Sequence, residues 1–500
     1  MLRRFCSLSI TTLTALSIQA SDVSQLADST ADYAVKTYQQ AMTDSLAQLV
    51  KHNTVAKEGI SANDNPAHIA FKKELAKQAN ALGLDYKDEG YVVIVGLGDA
   101  KERVGIITHG DVQPANPEKW TKSPYELDTT SEPGKLIGRG TEDDKGPIST
   151  ALYAMKAIKD KGIPLTKRLE LYVYMAEESD WGPLEEYIKT HSLPQTNITI
   201  DSSYPVVTAE KGYGTLKFAF KRKKISNIDP YISHFHGGYF GSQIPEDAIV
   251  TIENADIAML ETLMNKAKQY HQVNFDFELK GQQLTITALG KSAHSSKPED
   301  GENAITYLAD LLADRHWPNN GAGTMVNFIN DNIGLSLTGA KFGKIAYQDD
   351  FMGPMTVSPT VIKQQDNKVE LNINIRRPRG KSEQQLRSEI SRAVAAWKVK
   401  QMADIIELDH YIGEPFVQTE APHIDTLLSV FTKYTGIADA KPVSIGGGTN
   451  SRLFPNAVSF GPSMPGKAYT GHSEHEFITV AQFALNLRMY TAVLVELATQ

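Results

Sequence analysis

At 500 residues, with 41% hydrophobic and 22% charged side chains, the chain has the composition of a soluble globular protein and is too long for one compact core. Its net charge of -8 and the lack of a long basic run argue against a nucleic-acid surface, while the mild acidic excess favours solubility without indicating a substrate. At roughly 150 residues per domain, about three units are expected, and they can be interleaved.

The chain opens with the basic Met1-Leu2-Arg3-Arg4, then apolar residues 5–18 with interspersed Ser and Thr, then small Ala20 before Ser21-Asp22. That order predicts a secretory signal peptide over residues 1–20, cleaved near Ala20, and hence a periplasmic or secreted protein. The rival reading is a buried first helix. Cys6, the one cysteine, lies inside this segment, so the mature chain would carry no thiol and no disulfide. No apolar run precedes Cys6 to mark a lipid-attachment site, and no later stretch is apolar enough to span a bilayer.

Residues 28–82 read as helices, with apolar side chains recurring through Tyr38, Met42, Leu46 and Val50, and again through Ile69, Phe71, Leu75 and Ala79. β-branched runs at 91–95 and 104–108 flank the turn Gly98-Asp99-Ala100. A helix at 148–161, a strand at 169–174, a helix at 184–189 and a strand at 198–200 follow. This alternation predicts an α/β unit, a mainly parallel sheet with helices on both faces. From residue 213 the pattern changes to α+β: strand candidates at 216–220, 248–252, 284–288 and 369–375 alternate with helix candidates at 257–270, 304–315 and 383–397. Near Phe416 the helix-strand pattern resumes. The expected organisation is a catalytic domain formed by 21–212 and 415–500, interrupted by an inserted α+β domain at 213–414.

Ligands of open α/β sheets gather beyond the carboxyl ends of the strands. Here strand 104–108 runs into His109-Gly110-Asp111, strand 169–174 into Glu177-Glu178-Ser179-Asp180 through two residues, and strand 198–200 into Asp201. The turn Gly140-Thr141-Glu142-Asp143-Asp144-Lys145-Gly146 leads directly into a helix. Any one of these reads as a cap or turn residue. Together they would crowd like charges at one sheet edge, raising pKa values and destabilising the fold unless cations sit among them.

In order along the chain, His109-x-Asp111, Gly140-x-x-Asp143-Asp144-Lys145-Gly146, Glu177-Glu178-Ser179, Asp201 and His472-x-x-x-Glu476-Phe477 resemble the motifs of one family. It is the co-catalytic dizinc peptidase family of aminoacylases, carnosinases and glutamate carboxypeptidases, and the nearest branch is the peptidase V-like dipeptidases. The resemblance spans about residues 40 to 490. It implies two divalent metal ions, one held by His109, Asp143 and Asp201 and the other by Asp143, Glu178 and His472, with Asp143 shared. Two such ions bring four positive charges against three ligand carboxylates, leaving about one unit for a bridging hydroxide. Imidazole and carboxylate ligands without thiolate suit zinc and admit manganese or cobalt. The resemblance also implies that Glu177 is the general base and that Asp111 orients the His109 ring. His472 is preferred over His475 by its spacing to Glu476, and His234-x-His236 reads as structural or surface.

In the inserted domain, Gly290-Lys291-Ser292-Ala293-His294-Ser295-Ser296 with Gly301-x-Asn303-Ala304 resembles the family's lid motif, in which His294 would stabilise the oxyanion. Ile375-Arg376-Arg377-Pro378 resembles the segment whose first Arg grips the substrate carboxylate. Gly446-Gly447-Gly448-Thr449 lacks the Lys of a phosphate loop, and resembles instead a glycine turn in which Gly447 and Gly448 turn backbone amides toward a carboxylate. In one departure, Ser242 stands where the branch has Asn, so that polar contact would be shorter or lost unless Gln243 substitutes. The resemblance implies a monomeric dipeptidase that hydrolyses the amide of short peptides by a metal-bound hydroxide, and the N-terminal segment adds the expectation of export. The inserted lid would close about hinges near Gly212-Tyr213-Gly214 and Gly413. Two alternatives stand beside it: an N-acyl amino acid hydrolase of the same family, and a periplasmic peptide-binding protein without catalysis.

Overall fold

Residues 20–225 and 229–499 are described in the computed structural model. The expected signal segment, with Cys6, lies outside them except for Ala20, where the first helix starts. Apolar residues sort the rest of the chain into two sheets, each with its own core.

The first sheet runs Asp85–Asp88, Val92–Leu97, Arg168–Tyr174, Arg103–His109, Thr196–Thr199, Ala457–Ser459, Val207–Glu210 and Phe416–Val417, with Val443–Ile445 also paired to Val207–Glu210. Its four central strands, Arg168–Tyr174, Arg103–His109, Thr196–Thr199 and Ala457–Ser459, are mutually parallel. The flanks are chiefly antiparallel, so the parallel run is the centre of a mixed sheet. Helices Ala20–Val50, Pro66–Ala81, Lys145–Asp160, Ile424–Thr435 and Val480–Thr499 pack against one face, burying Leu46, Phe71, Leu152, Phe431 and Leu494. Asn65 sets the start of Pro66–Ala81: its side chain accepts from the Ala67 N–H at 3.1 Å, and proline takes the first helical position. On the other face, helix Gly182–Thr190 packs Leu184 over Tyr172, Tyr174 and Phe454. Both faces are therefore covered.

The second sheet has eight strands in the order Asn274–Lys280, Gln283–Leu289, Asp247–Glu253, Tyr231–Gly237, Thr356–Gln364, Lys368–Arg377, Gly212–Lys221 and Ile405–Ile412. Every neighbouring pair is antiparallel. Helices Ile257–Ala267, Ala304–Leu311, Ala322–Asn332 and Glu383–Gln401 share its core, where Phe218, Phe220, Phe328 and Trp397 meet. Helix Ala322–Asn332 escaped the sequence reading because it is buried almost all round, which removes the one-sided apolar period. The strands at 274–280, 356–364 and 405–412 escaped it as well. The chain enters this sheet at Gly212 and leaves it after Ile412, and the two crossings lie side by side: the Gly413 N–H donates to the Tyr213 carbonyl at 2.8 Å.

Candidate active site

The parallel strands deliver their last residues to one place. His109, the final residue of its strand, sets Nε2 2.9 Å from Asp143 Oδ1 and 3.7 Å from Asp201 Oδ2. His472 sets Nε2 3.0 Å from Asp143 Oδ2 and 2.7 Å from Glu178 Oε1. Two three-residue groups result, His109–Asp143–Asp201 and Asp143–Glu178–His472, with the donor atoms of each within 4.8 Å of one another. Asp143 belongs to both. Its turn is held by Glu476, which is completely buried: Oε1 accepts from the N–H of Glu142 (2.8 Å) and Asp143 (3.0 Å), while Oε2 accepts from Gly140 N–H (3.1 Å) and Arg139 (2.9 Å). The motif that supplies His472 thus also fixes the backbone under Asp143.

Glu177 stands beside the cluster with its Oε1 buried and unpartnered. Burial pushes its carboxyl well above the ordinary carboxylate range, and the charges of Asp201, Glu178 and Asp111 add to the shift. Asp111 acts differently from the sequence expectation. The His109 Nδ1–H donates to the Asp111 backbone carbonyl at 2.9 Å, and the carboxylate lies farther off at 3.5 Å. The Asp111 carboxylate instead accepts from the backbone N–H groups of Glu177 and Glu178, both at 3.0 Å, and so places the two glutamates. His475 turns away: its Nε2 accepts from Thr121 N–H, and its ring lies edge-on to Trp120. His234 and His236 stack on each other on strand Tyr231–Gly237 and belong to neither three-residue group.

Residues between the two crossings reach over this cluster from the same chain, His294 from a short pairing of Ala293–His294 with Gln243–Ile244 and Arg376 from the second sheet. The His294 ring lies 4.6 Å from that of His472. Its Nδ1 accepts from the Ser296 N–H at 3.2 Å, which leaves the proton of the neutral ring on Nε2. Burial drives its pKa well below the usual histidine range, and His472 and Arg376 reinforce the effect. Arg376 is only 4% exposed, bonds Asn374 (3.1 Å) and Ser295 (3.0 Å), and has no carboxylate partner among the described residues. Ser242 keeps a contact from its departed position: Oγ lies 3.3 Å from His472 Nδ1, while Gln243 donates to the His472 carbonyl at 3.3 Å. Gly447 and Gly448 line the same cleft, of about 710 Å³, with Glu177, His294 and Arg376. Gly446 is the glycine that close packing requires, since a Cβ there would come within 2.2 Å of the Ser296 carbonyl oxygen.

Residues 105–496 match the model of "Peptidase family M20/M25/M40". This chain belongs to that family. It is a metallopeptidase. Among similar proteins, the Beta-Ala-Xaa dipeptidase of Lactobacillus delbrueckii subsp. lactis is 29% identical over 410 residues, covering 81% of this chain and 84% of that one. Two solved structures share the fold at a TM-score of 0.56 each: human carnosine dipeptidase 1 (15% identity, 94% of this chain, 99% of that chain) and the di-peptidase Dug1p of Saccharomyces cerevisiae (14% identity, 94% and 98%). The non-catalytic binding-protein alternative falls with the family assignment.

The donor set fits the metals of a metallopeptidase. Asp143, Asp144, Glu177, Glu178 and Asp201 gather around two imidazoles. As side chains alone they show uncompensated negative charge: burial pushes Asp201 up to about 6, and it raises Asp144. Despite burial, Glu178 and Asp143 push the His472 pKa up to about 10, so a ring proton stands where a cation would serve both carboxylates. Imidazole and carboxylate without sulfur is a donor set for zinc-like divalent ions. Two members of the site went unmarked in the sequence. Tyr469 donates its phenol to Asp143 Oδ2 at 2.5 Å, and Glu476 figured only as a spacing mark. A lone Tyr three residues before a histidine carries no signal of its own.

Proposed function

We propose that this metallopeptidase is an exported, monomeric dipeptidase that works with two divalent metal ions, zinc foremost. The carrying observation is that Asp143 belongs to both three-residue groups while His294 and Arg376, both from between the two crossings, reach the same cleft. His109, Asp143 and Asp201 would hold one ion; Asp143, Glu178 and His472 would hold the other. Bound there, the ions supply Lewis acidity toward the scissile carbonyl and lower the pKa of the attacking water. Glu177 takes that water's proton at its unpartnered Oε1 and passes it to the leaving amine. His294 donates from Nε2 to the developing oxyanion. Arg376, a buried cation without an anionic partner among the described residues, binds the free carboxylate of the leaving residue.

The dipeptidase name of the 29% identical relative supports a short peptide as substrate. The monomer reading rests on a site whose lid residues come from its own chain. Export rests on the basic, apolar, then small-residue order of residues 1–20.

Chelation should abolish dipeptide hydrolysis and zinc should restore it, with metal analysis returning two ions per chain. Asp143→Ala should lose both ions together. Two ions retained with near-normal activity would remove the shared carboxylate. A panel of dipeptides, tripeptides and N-acetyl amino acids decides the substrate class, and preference for the acetylated set would make the enzyme an N-acyl amino acid hydrolase.

A further inference from the structure

The cleft is not uniform along its length. At the Arg376 end, three aromatic rings face it from both halves of the chain. Tyr213 lies under the guanidinium, 5.1 Å from its carbon to the ring centre, and the Tyr411 ring is 6.2 Å farther along. Both tyrosines are exposed, Tyr411 at 57%. Across from them Trp181 is fixed beside the general base, its Nε1–H donating to the Glu177 carbonyl at 2.6 Å. Ile445 adds an aliphatic wall. Arg452 lies 6.0 Å from the Trp181 ring, but its charge is engaged by Glu210 at 3.3 Å and by the Glu414 carbonyl at 3.1 Å. The cleft is lined as well by Ser202, Ser203, Gly241 and Ser242, with Phe240 edge-on to His472.

We infer that Trp181, Tyr213, Tyr411 and Ile445 form a pocket for the side chain of the residue C-terminal to the scissile bond, and that this pocket selects aromatic and large aliphatic side chains. The reasoning rests on the Arg376 grip proposed above. A carboxylate held on Arg376 has its own α-carbon one bond away, so the side chain on that carbon is delivered between Tyr213 and Trp181. Rings on both sides offer apolar area and edge-to-face contacts that glycine or alanine cannot use. Exposed aromatic rings gathered at a cleft mark a binding surface more than a packing remainder. Because the leaving residue carries the free carboxylate in a dipeptide and in an N-acyl amino acid alike, the pocket acts on either substrate class.

The test compares kcat/KM for Ala-Phe, Ala-Leu, Ala-Gly and the reversed Phe-Ala on the metal-loaded enzyme. Ala-Phe should exceed Ala-Gly by about tenfold or more, the usual range for filling an apolar pocket. Tyr411→Ala should lower that ratio several-fold, and Tyr411→Phe should keep it, because the ring and not the phenol oxygen makes the wall. A ratio near one in the parent enzyme, a ratio unmoved by Tyr411→Ala, or a preference that follows the first residue would overturn the pocket. If dipeptides resist cleavage while N-acetyl amino acids are hydrolysed, the dipeptidase reading fails by itself, and N-acetyl-Phe against N-acetyl-Gly puts the pocket to the same test. If neither class is cleaved, both readings fail.

Discussion

Glu177 Oε1 has no hydrogen-bond partner among the described residues, in a place where burial and neighbouring acids make the carboxylate a strong proton acceptor. Gln at this position is nearly isosteric and cannot take the water's proton. Glu177→Gln should therefore keep the fold and the metal content and lose about 10²–10⁴-fold in kcat, the usual cost of a missing general base. A loss of less than about tenfold, below that range, would move the task to another group. Asp111 is a poor substitute, since both its carboxylate oxygens already accept backbone N–H groups. At this scale the sequence was most legible where residue type and spacing coincide, as at His109, Asp143, Glu178, Asp201 and His472. It was least legible where a side chain works by hydrogen-bonding a distant backbone. Neither the carboxylate of Asp111 under the two glutamates nor that of Glu476 under the Asp143 turn can be read from spacing, because each partner lies far along the chain.

Elements of the first sheet are tied together by buried polar groups that also respond to pH. His423 stands at the start of helix Ile424–Thr435, and its Nε2–H donates to the Asn197 carbonyl on the central strand Thr196–Thr199 at 2.9 Å. Burial pushes its pKa down to about 4, against the ordinary histidine value near 6.5. Between these values the unfolded chain binds the proton that the folded chain refuses. Stability is full above about pH 6.5 and falls as the pH drops toward 4, by roughly 2–4 kcal/mol from this group. Denaturant melts between pH 4 and 7 should show that loss. His423→Gln, which keeps an N–H donor without titrating, should flatten it. An unchanged pH profile in the variant would assign the acid sensitivity to other groups. Short continuous apolar and β-branched runs were legible as strands to within a few residues, as at Arg103–His109 and Arg168–Tyr174, each buried beyond its first residue. Helix Ala322–Asn332 and strand Asn274–Lys280 were not, the first buried on nearly all sides and the second half-exposed along its length.

Across the whole molecule, the cleft forms where the two halves divided by the crossings meet. The chain crosses between them only at Gly212–Tyr213 and Ile412–Gly413, where a Cβ on Gly212 would come within 2.2 Å of the Gly413 carbonyl oxygen. Lys119 of the first half also pairs with Asp247 of the second at 2.6 Å, so contacts away from the crossings hold the two together. Because His294 and Arg376 both line this cleft but would, in the function proposed above, contact different parts of a substrate, their loss should show differently. His294→Ala should lower kcat by about 10²–10³-fold, as for other oxyanion donors, with a smaller change in KM. Arg376→Ala should chiefly raise KM, by about tenfold or more, since a carboxylate grip is nearly equal in ground and transition states. Steady-state kinetics on one dipeptide would separate the two patterns, and parent-like kinetics in both variants would detach the second sheet from the site.

The sequence by itself determined the family motifs, the candidate metal-ligand residues and the alternation of elements, because these depend on residue type at short range and on order along the chain. Only the tertiary structure decided that the parallel strands form the centre of a mixed sheet, and that Ser242 and Gln243 both still reach His472. It also decided that Gly446 is the glycine packed against the lid, and that Trp181, Tyr213 and Tyr411 line one cleft with Arg376. Trp181 is more than thirty residues from Tyr213 and more than two hundred from Tyr411. Contacts at such separations follow from how two cores settle against each other, and no local pattern in the chain records that.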